Sequence, residues 1–433
     1  MFAKKFIFIL LLTVASAAFA SPKIEHWTTA NGVPVYFVAA PELPMVDIQV
    51  LFDAGGAQDG ELSGRALLTN AMLNEGADGL DADQIAAKFD DLGARFGNSS
   101  QRDMAMLSLR SLTTDSALNP ALDLFHKVLT KPDFPQASFD RIQKQLLLGL
   151  QAEKQSPSAI ASRAFYKNLY GEHPYRAMPA GDEKSLAAIT VETLKTFYKN
   201  NYVAEKAIIA IVGQFDQVKA KKIAEKLSQD LGHGKSSTIP VVKALSQAKS
   251  ETIPYPSSQT HILMGQPGIK RGDSDYFALY VGNHILGGSG LVSKLSDELR
   301  EKRGLTYSVY SYFRLMREAG PYQLGLSTRN DQAQQALKVL RDTLNKFIKD
   351  GPTEKELLAA KKNITGGFAL RVDSNSKIIG YIAMIAFYGL PLDYLDKFND
   401  NIKAVTVEQI KDAFSRHVHP DKMVTIMVGG EAE

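Results

Sequence analysis

The sequence predicts an α+β protein built as two similar halves that face one another, each a mixed or antiparallel β-sheet with helices packed on it. Three observations carry this. A chain of 433 residues is too long for one small core. Short runs with period-2 alternation of apolar residues are followed by longer runs with helical spacing, the order expected of α+β units. The most specific observation is an internal repeat. Ile189-Thr190-Val191-Glu192 through Val212-Gly213 aligns without a gap to Val405-Thr406-Val407-Glu408 through Val428-Gly429, at a constant offset of 216 residues. Each copy reads as a Thr-capped amphipathic helix followed by a terminal strand.

Taken in order, the chain opens with Lys4 and Lys5, the apolar run Phe6 to Leu12, and Ala18-Phe19-Ala20 before Ser21. That is the pattern of a secretory leader over residues 1–20, cleaved near Ala20, and it predicts a periplasmic or secreted mature protein. No later run reaches the roughly 18 apolar residues of a membrane span. The first domain is expected over residues 21–231. Val35 to Val38 and the alternating Val46, Ile48, Val50 and Phe52 read as strands, the second closing at Gly55-Gly56. A helix follows from about Ser63 to Asn74, another from Asp81 or Asp83 through Leu92, then Gly97-Asn98-Ser99-Ser100 and the strand-like Met104 to Leu112. Residues 114–130, 137–155 and 157–170 read as helices punctuated by Pro132, Pro135 and Pro157. Polar, proline-containing residues 232–256 read as a linker, and residues 257–433 as the second domain.

Within the second domain, Leu291, Leu295 and Leu299 recur at helical spacing, with Ser289 as the expected N-cap and Gly304 placed for a left-handed C-cap. A turn then leads into a strand, which brings Arg300 and Tyr307 onto one surface. Two readings stand: a cation and a phenol that hold a peptide carbonyl, or an Arg complementing the helix dipole and a Tyr packing a sheet.

Composition excludes several functions. There is no cysteine, so there are no disulfides, thiolate metal sites or cysteine nucleophile. Fifty basic residues against 47 acidic ones give no field that calls for nucleic acid. No pair among the eight histidines has i,i+4 spacing; His417 and His419 flank Val418 in an expected surface loop, and His284 reads as a packed or capping residue. There is no G-x-S-x-G elbow, and Gly288-Ser289-Gly290 reads as a turn.

Phe52-Asp53-Ala54-Gly55-Gly56, Gly64 to Gly76, Gly97 to Ser100, Leu299-Arg300 to Tyr307 and the duplicated half ends together resemble the pitrilysin family, which includes the mitochondrial processing peptidases. The resemblance covers essentially all of the mature chain. It implies a clamshell of two α+β domains around a chamber for unfolded peptide, and for many short members a two-subunit assembly. Active members carry H-x-x-E-H on the first long helix, two zinc ligands one turn apart with a Glu between them. Here Leu67, Asn70 and Ala71 stand at those positions, and Gly149, with Glu153 one turn away, stands at the third ligand. None can hold zinc or serve as the base. By the same resemblance Arg300 and Tyr307 match the pair that orients substrate and stabilises the oxyanion, and Gly97, Asn98, Ser99 and Ser100 match the start of the edge strand that pairs with peptide, although a turn before a strand explains those four equally well. The implied function is a non-catalytic, substrate-binding subunit of an exported heteromeric zinc metallopeptidase, without a cofactor of its own, with zinc in the partner subunit. The alternative is a peptide-binding or structural protein of the same fold.

Overall fold

The computed structural model describes residues 23–236 and 238–430; the leader expected over residues 1–20 lies outside the described residues. The first half runs β1 (Glu25–Thr28), β2 (Pro34–Ala39), β3 (Met45–Phe52), α1 (Arg65–Met72), the short pair β4 (Gly76–Ala77) and β5 (Leu80–Asp81), α2 (Ala82–Asp91), β6 (Arg95–Ser100) and β7 (Ala105–Leu112). Helices α3 (Asp115–Thr130), α4 (Gln136–Glu153), α5 (Pro157–Tyr170), α6 (Glu183–Ala188) and α7 (Val191–Asn201) follow, then β8 (Ala207–Gly213) and α8 (Gln217–Ser228). The second half runs β9 (Lys249–Ile253), β10 (Gln259–Pro267), α9 (Tyr276–Asn283), α10 (Lys294–Ser296), β11 (Val309–Phe313) and β12 (Pro321–Arg329). It ends with α11 (Ala333–Asp350), α12 (Glu354–Gly366), α13 (Asn375–Tyr388), α14 (Tyr394–Ala404), α15 (Val407–His417) and β13 (Val424–Val428). No helix among the described residues is long and apolar enough to cross a membrane.

The two sheets repeat one topology. The first is ordered β1-β2-β8-β3-β7-β6 and the second β11-β12-β10-β13-β9. Read from the parallel pair, β2/β8 corresponds to β9/β13, and every other pairing is antiparallel in both. The repeat found in the sequence is one physical unit in each half. Thr190 caps α7 and Thr406 caps α15, each through a reciprocal capping box, and each helix leads into the strand that lies beside the sheet's parallel partner.

Two sequence expectations change. Residues 249–253, expected inside the linker, form strand β9, paired parallel to β13 from Lys249 opposite Val424 to Ile253 opposite Val428. Four of its five residues are exposed, so backbone pairing and a few side-chain contacts hold it and no apolar alternation marks it. The N-cap expected at Ser289 is Ser293, whose Oγ accepts from the Ser296 N–H at 3.3 Å. Gly290 to Val292 make a separate 3₁₀ turn, and α10 continues into a π-helical turn over Asp297–Glu301. Gly304 ends it with φ +59°, the left-handed conformation the sequence calls for.

The halves are crossed rather than side by side. Helix α5 of the first half lays Ala161, Phe165 and Leu169 on Leu263, Val424, Ile426 and Val428 of the second sheet. Helix α13 of the second half packs Ile379, Ile382 and Ala383 in one cluster with Val38, Leu51, Ala210 and Val212 of the first sheet. Each sheet is therefore covered on both faces, which is why β13 is buried throughout and β8 nearly so, and why both read as unbroken apolar runs. Gly265 makes one crossing possible: a Cβ there would sit 2.2 Å from the Tyr322 carbonyl oxygen and 2.9 Å from the Phe165 ring.

A buried polar knot joins the halves at the tip of β6 and β7. The Asp103 carboxylate, 3% exposed, accepts from the Tyr175 hydroxyl at 2.6 Å, the Tyr388 hydroxyl at 3.1 Å and the Arg317 backbone N–H at 2.8 Å. Arg317 also pairs with Asp53 through its guanidinium. Arg102 lies over the Tyr166 ring, 3.8 Å from its centroid, and donates to the Tyr175 and Ala177 carbonyls. The 101–104 turn comes so close to Gly55 that a Cβ there would meet the Met104 nitrogen at 2.4 Å, which fixes glycine at this position. Asp103→Ala strands two phenols and one N–H in the interior, and we expect it to lower unfolding free energy by about 3 kcal/mol. Urea denaturation followed by fluorescence and far-ultraviolet circular dichroism measures this; both probes are expected to report one shared transition, because the crossed helices leave neither half complete alone.

Candidate functional site

Helix α1 presents the positions at which the resemblance places zinc ligands. Leu67 and Ala71 lie one turn apart and are half-buried, whereas Asn70 is buried, so the three share one face with the amide turned into the protein. The Asn70 Nδ2 reaches the Tyr202 hydroxyl at 3.3 Å. The Asn98 side-chain amide donates to the Asn70 carbonyl at 2.8 Å and to Asn74 Oδ1 at 3.0 Å, tying α1 to the neighbouring strand. Gly149 on α4 is exposed, and a Cβ built on it meets nothing within 4 Å. Glu153, one turn on, is paired with Arg163 at 2.6 Å. This donor set does not fit zinc: two positions have no donor atom, one is a hydrogen-bonded amide and one has no side chain.

Gly97 to Ser100, for which a turn and a strand were equally good readings, lie within β6, the outermost strand of the first sheet. Of these four, Asn98 spends its side chain on α1, and the Ser100 Oγ is buried without a hydrogen-bond partner. Arg300 and Tyr307 are brought together. The Arg300 guanidinium carbon is 4.8 Å from the centroid of the Tyr307 ring, and its Nε is 3.3 Å from the Glu301 carboxylate. Tyr307 is 83% exposed and stands in the loop before β11, outside any strand. No hydrogen bond, ion pair or ring contact joins this pair to α1 or β6 among the described residues.

Residues 35–182 match the family described as Insulinase (Peptidase family M16), and residues 188–364 match the Peptidase M16 inactive domain. A solved peptidase M16 inactive domain from Pseudomonas fluorescens is 43% identical, with a TM-score of 0.91 over 94% of this chain and 98% of that one. The chain belongs to the M16 peptidase family. Among curated M16-like relatives, the "Non-peptidase homolog YmxG" of Helicobacter pylori is 25% identical over 99% of both chains. The "Uncharacterized zinc protease YmxG" of Bacillus subtilis is 25% identical over 82% of this chain and 86% of its own. Within M16, this chain has no zinc-binding side chain at Leu67, Asn70 or Ala71, where the resemblance expects the motif.

His417 departs from the expected loop. It is the last residue of α15, and its Nε2 lies 2.7 Å from Asp275 Oδ2. Asp273, Asp275 and His417 are the only group among the described residues with three metal-capable side chains in reach of one another. The Arg416 guanidinium already holds both Asp275 oxygens, at 2.6 and 2.9 Å. Its hydrogen bonds bring the Asp275 carboxyl down to about 2, against burial and with help from His417. What sequence reading missed is a cavity of about 840 Å³ in the second half, lined by Arg271, His284 and Arg371 among others. Those three residues are scattered over about a hundred positions and share no motif.

Two outcomes are expected. After equilibration with zinc and desalting, elemental mass spectrometry of the purified chain gives well under one zinc per chain; stoichiometric, tightly held zinc contradicts the reading of α1. Because the Asp275 carboxyl is depressed when folded, its contribution is present above its ordinary pKa near 4 and is lost as pH falls towards 2. Asp275→Asn is therefore less stable than the native chain at neutral pH in thermal unfolding, and the gap closes between about pH 4 and pH 2.

Proposed function

We propose that the chain is the substrate-binding, oxyanion-stabilising subunit of a heteromeric zinc metallopeptidase, exported and acting in the periplasm after loss of the leader near Ala20. The observation that carries this is the pairing of Arg300 with an exposed Tyr307 in a chain whose α1 has no zinc ligand. A surface Arg–Tyr stack stabilises a fold by only about 0.5–1 kcal/mol. As a device for binding it is better placed: the guanidinium holds the ring, and the phenol oxygen, without a hydrogen-bond partner among the described residues, faces outward as a donor.

In the proposed assembly a zinc-bearing M16 subunit supplies the activated water that attacks an unfolded peptide. Arg300 orients a substrate carbonyl or terminal carboxylate through its free N–H groups, and the Tyr307 hydroxyl donates to the oxygen that gains charge. The edge of β6 offers main-chain groups to an extended substrate through residues 97–100. A second reading has one observation in its favour: Glu301 at the Arg300 Nε and the Tyr307 ring on its face already hold the guanidinium in place without a substrate. On that reading the chain is a peptide-binding or structural protein with no role in proteolysis.

The test is reconstitution with a zinc-bearing M16 subunit from the same source, with peptide hydrolysis as the readout. A pre-aimed oxyanion donor is worth about 3 kcal/mol, so Tyr307→Phe and Arg300→Ala should each lower kcat/KM by on the order of a hundredfold with the assembly intact. If both variants assemble and cleave at the native rate, the proposed role is wrong.

A further inference from the structure

The second half has its own cavity, of about 840 Å³, between α9, the π-helical turn His284–Gly288 that continues it, and strand β11. Arg271, His284 and Arg371 line it together with Tyr276, Tyr310 and Tyr312, and no Asp or Glu is among its lining residues. Some partly buried guanidinium groups in the chain sit on carboxylates, as Arg317 does on Asp53 and Arg163 on Glu153. Arg271 and Arg371, like the buried Arg102, are in no ion pair among the described residues. Arg371 donates to the Tyr280 hydroxyl at 3.0 Å. Arg271 stands over the Tyr388 ring at 5.4 Å, and its Nε is buried with no hydrogen-bond partner.

Two cations on one concave wall without a counter-charge focus a positive potential into the space between them. An anion entering there gains charge-assisted hydrogen bonds that the protein does not itself supply. Burial, with Arg371 nearby, lowers the pKa of His284, so its imidazole is neutral at neutral pH and the positive charge belongs to the two arginines.

The rim indicates what carries the anion. Strand β11 is the outermost strand of its sheet, so one row of its backbone groups has no strand partner. Tyr310 and Tyr312 stack along it, with ring centroids 5.7 Å apart and planes 15° from parallel, each a little over a third exposed. A free edge beside aromatic rings suits an extended chain, which directs alternate side chains to one face. We propose that this cavity is an acid-recognising subsite for extended peptides, in which Arg271 and Arg371 bind a side-chain or chain-terminal carboxylate. The proposal rests on the peptide-handling reading above and adds a substrate preference to it.

Fluorescence anisotropy with four labelled ten-residue peptides tests it, with Glu or Gln at one central position, each with a free or amidated C-terminus. A preference of roughly tenfold for Glu over Gln between the amidated peptides identifies a side-chain carboxylate. The same preference for the free over the amidated Gln peptide identifies the chain terminus. Arg271→Gln and Arg371→Gln should remove whichever preference is seen, and Arg371→Lys should keep part of it. Equal binding of all four peptides to the native chain overturns the subsite and leaves peptide handling standing, and this comparison needs no variant to fold. Binding of none overturns both.

Discussion

Each sheet of this protein depends on a helix that belongs to the other half. The apolar outer face of the first sheet is covered by α13, and that of the second by α5. Burying a large aliphatic or aromatic side chain contributes about 1.5–3 kcal/mol, so an exchange that covers Phe165, Leu169, Ile379 and Ile382 outweighs any single polar contact between the halves. The Asp103 knot adds direction to this adhesion. Three donors from three separate elements converge on one carboxylate, and they can do so at only one relative placement of the halves. The M16 clamshell is in this sense one interlocked body, and the edges β6 and β11 are held at fixed positions within it.

Much of this was legible in the sequence, and the rest was hidden for definable reasons. The duplicated unit could be read because a cap, an amphipathic helix and a doubly buried strand each leave a strong local pattern, as Thr190 and Thr406 show. Strand β9 could not, since its exposed residues carry no apolar alternation. The Ser289 cap was misplaced by four residues because Gly290 to Val292 use their own 3₁₀ turn, which interrupts the helical spacing of the leucines. The crossing of α5 and α13 was out of reach for a different reason. An amphipathic pattern reports that a face is buried, never which sheet buries it.

At the positions where the family resemblance expects zinc ligands, the side chains have structural partners of their own. Asn70 and Asn98 build a small amide network that fastens α1 to β6, Leu67 and Ala71 leave a face without donors, and Glu153 is bound by Arg163. The polar side chains there hold a helix against an edge strand. Arg300 and Tyr307 were legible as a pair because seven residues that include a left-handed glycine form a compact turn, and Gly304 supplies it.

The crossed helices also bear on how the molecule is made. While the chain is synthesised, α5 ends at Tyr170, 79 residues before β9 begins at Lys249 as the first strand of the sheet that receives it. The first sheet must likewise wait for α13, which ends at Tyr388. Until then Phe165 and Leu169 on one side, and Leu51 and Val212 on the other, remain apolar surface open to any passing chain. Completion of the fold is thus deferred until nearly the whole polypeptide exists, so a truncated product has no finished half to retain, and the nascent chain has a long window in which a chaperone can hold it.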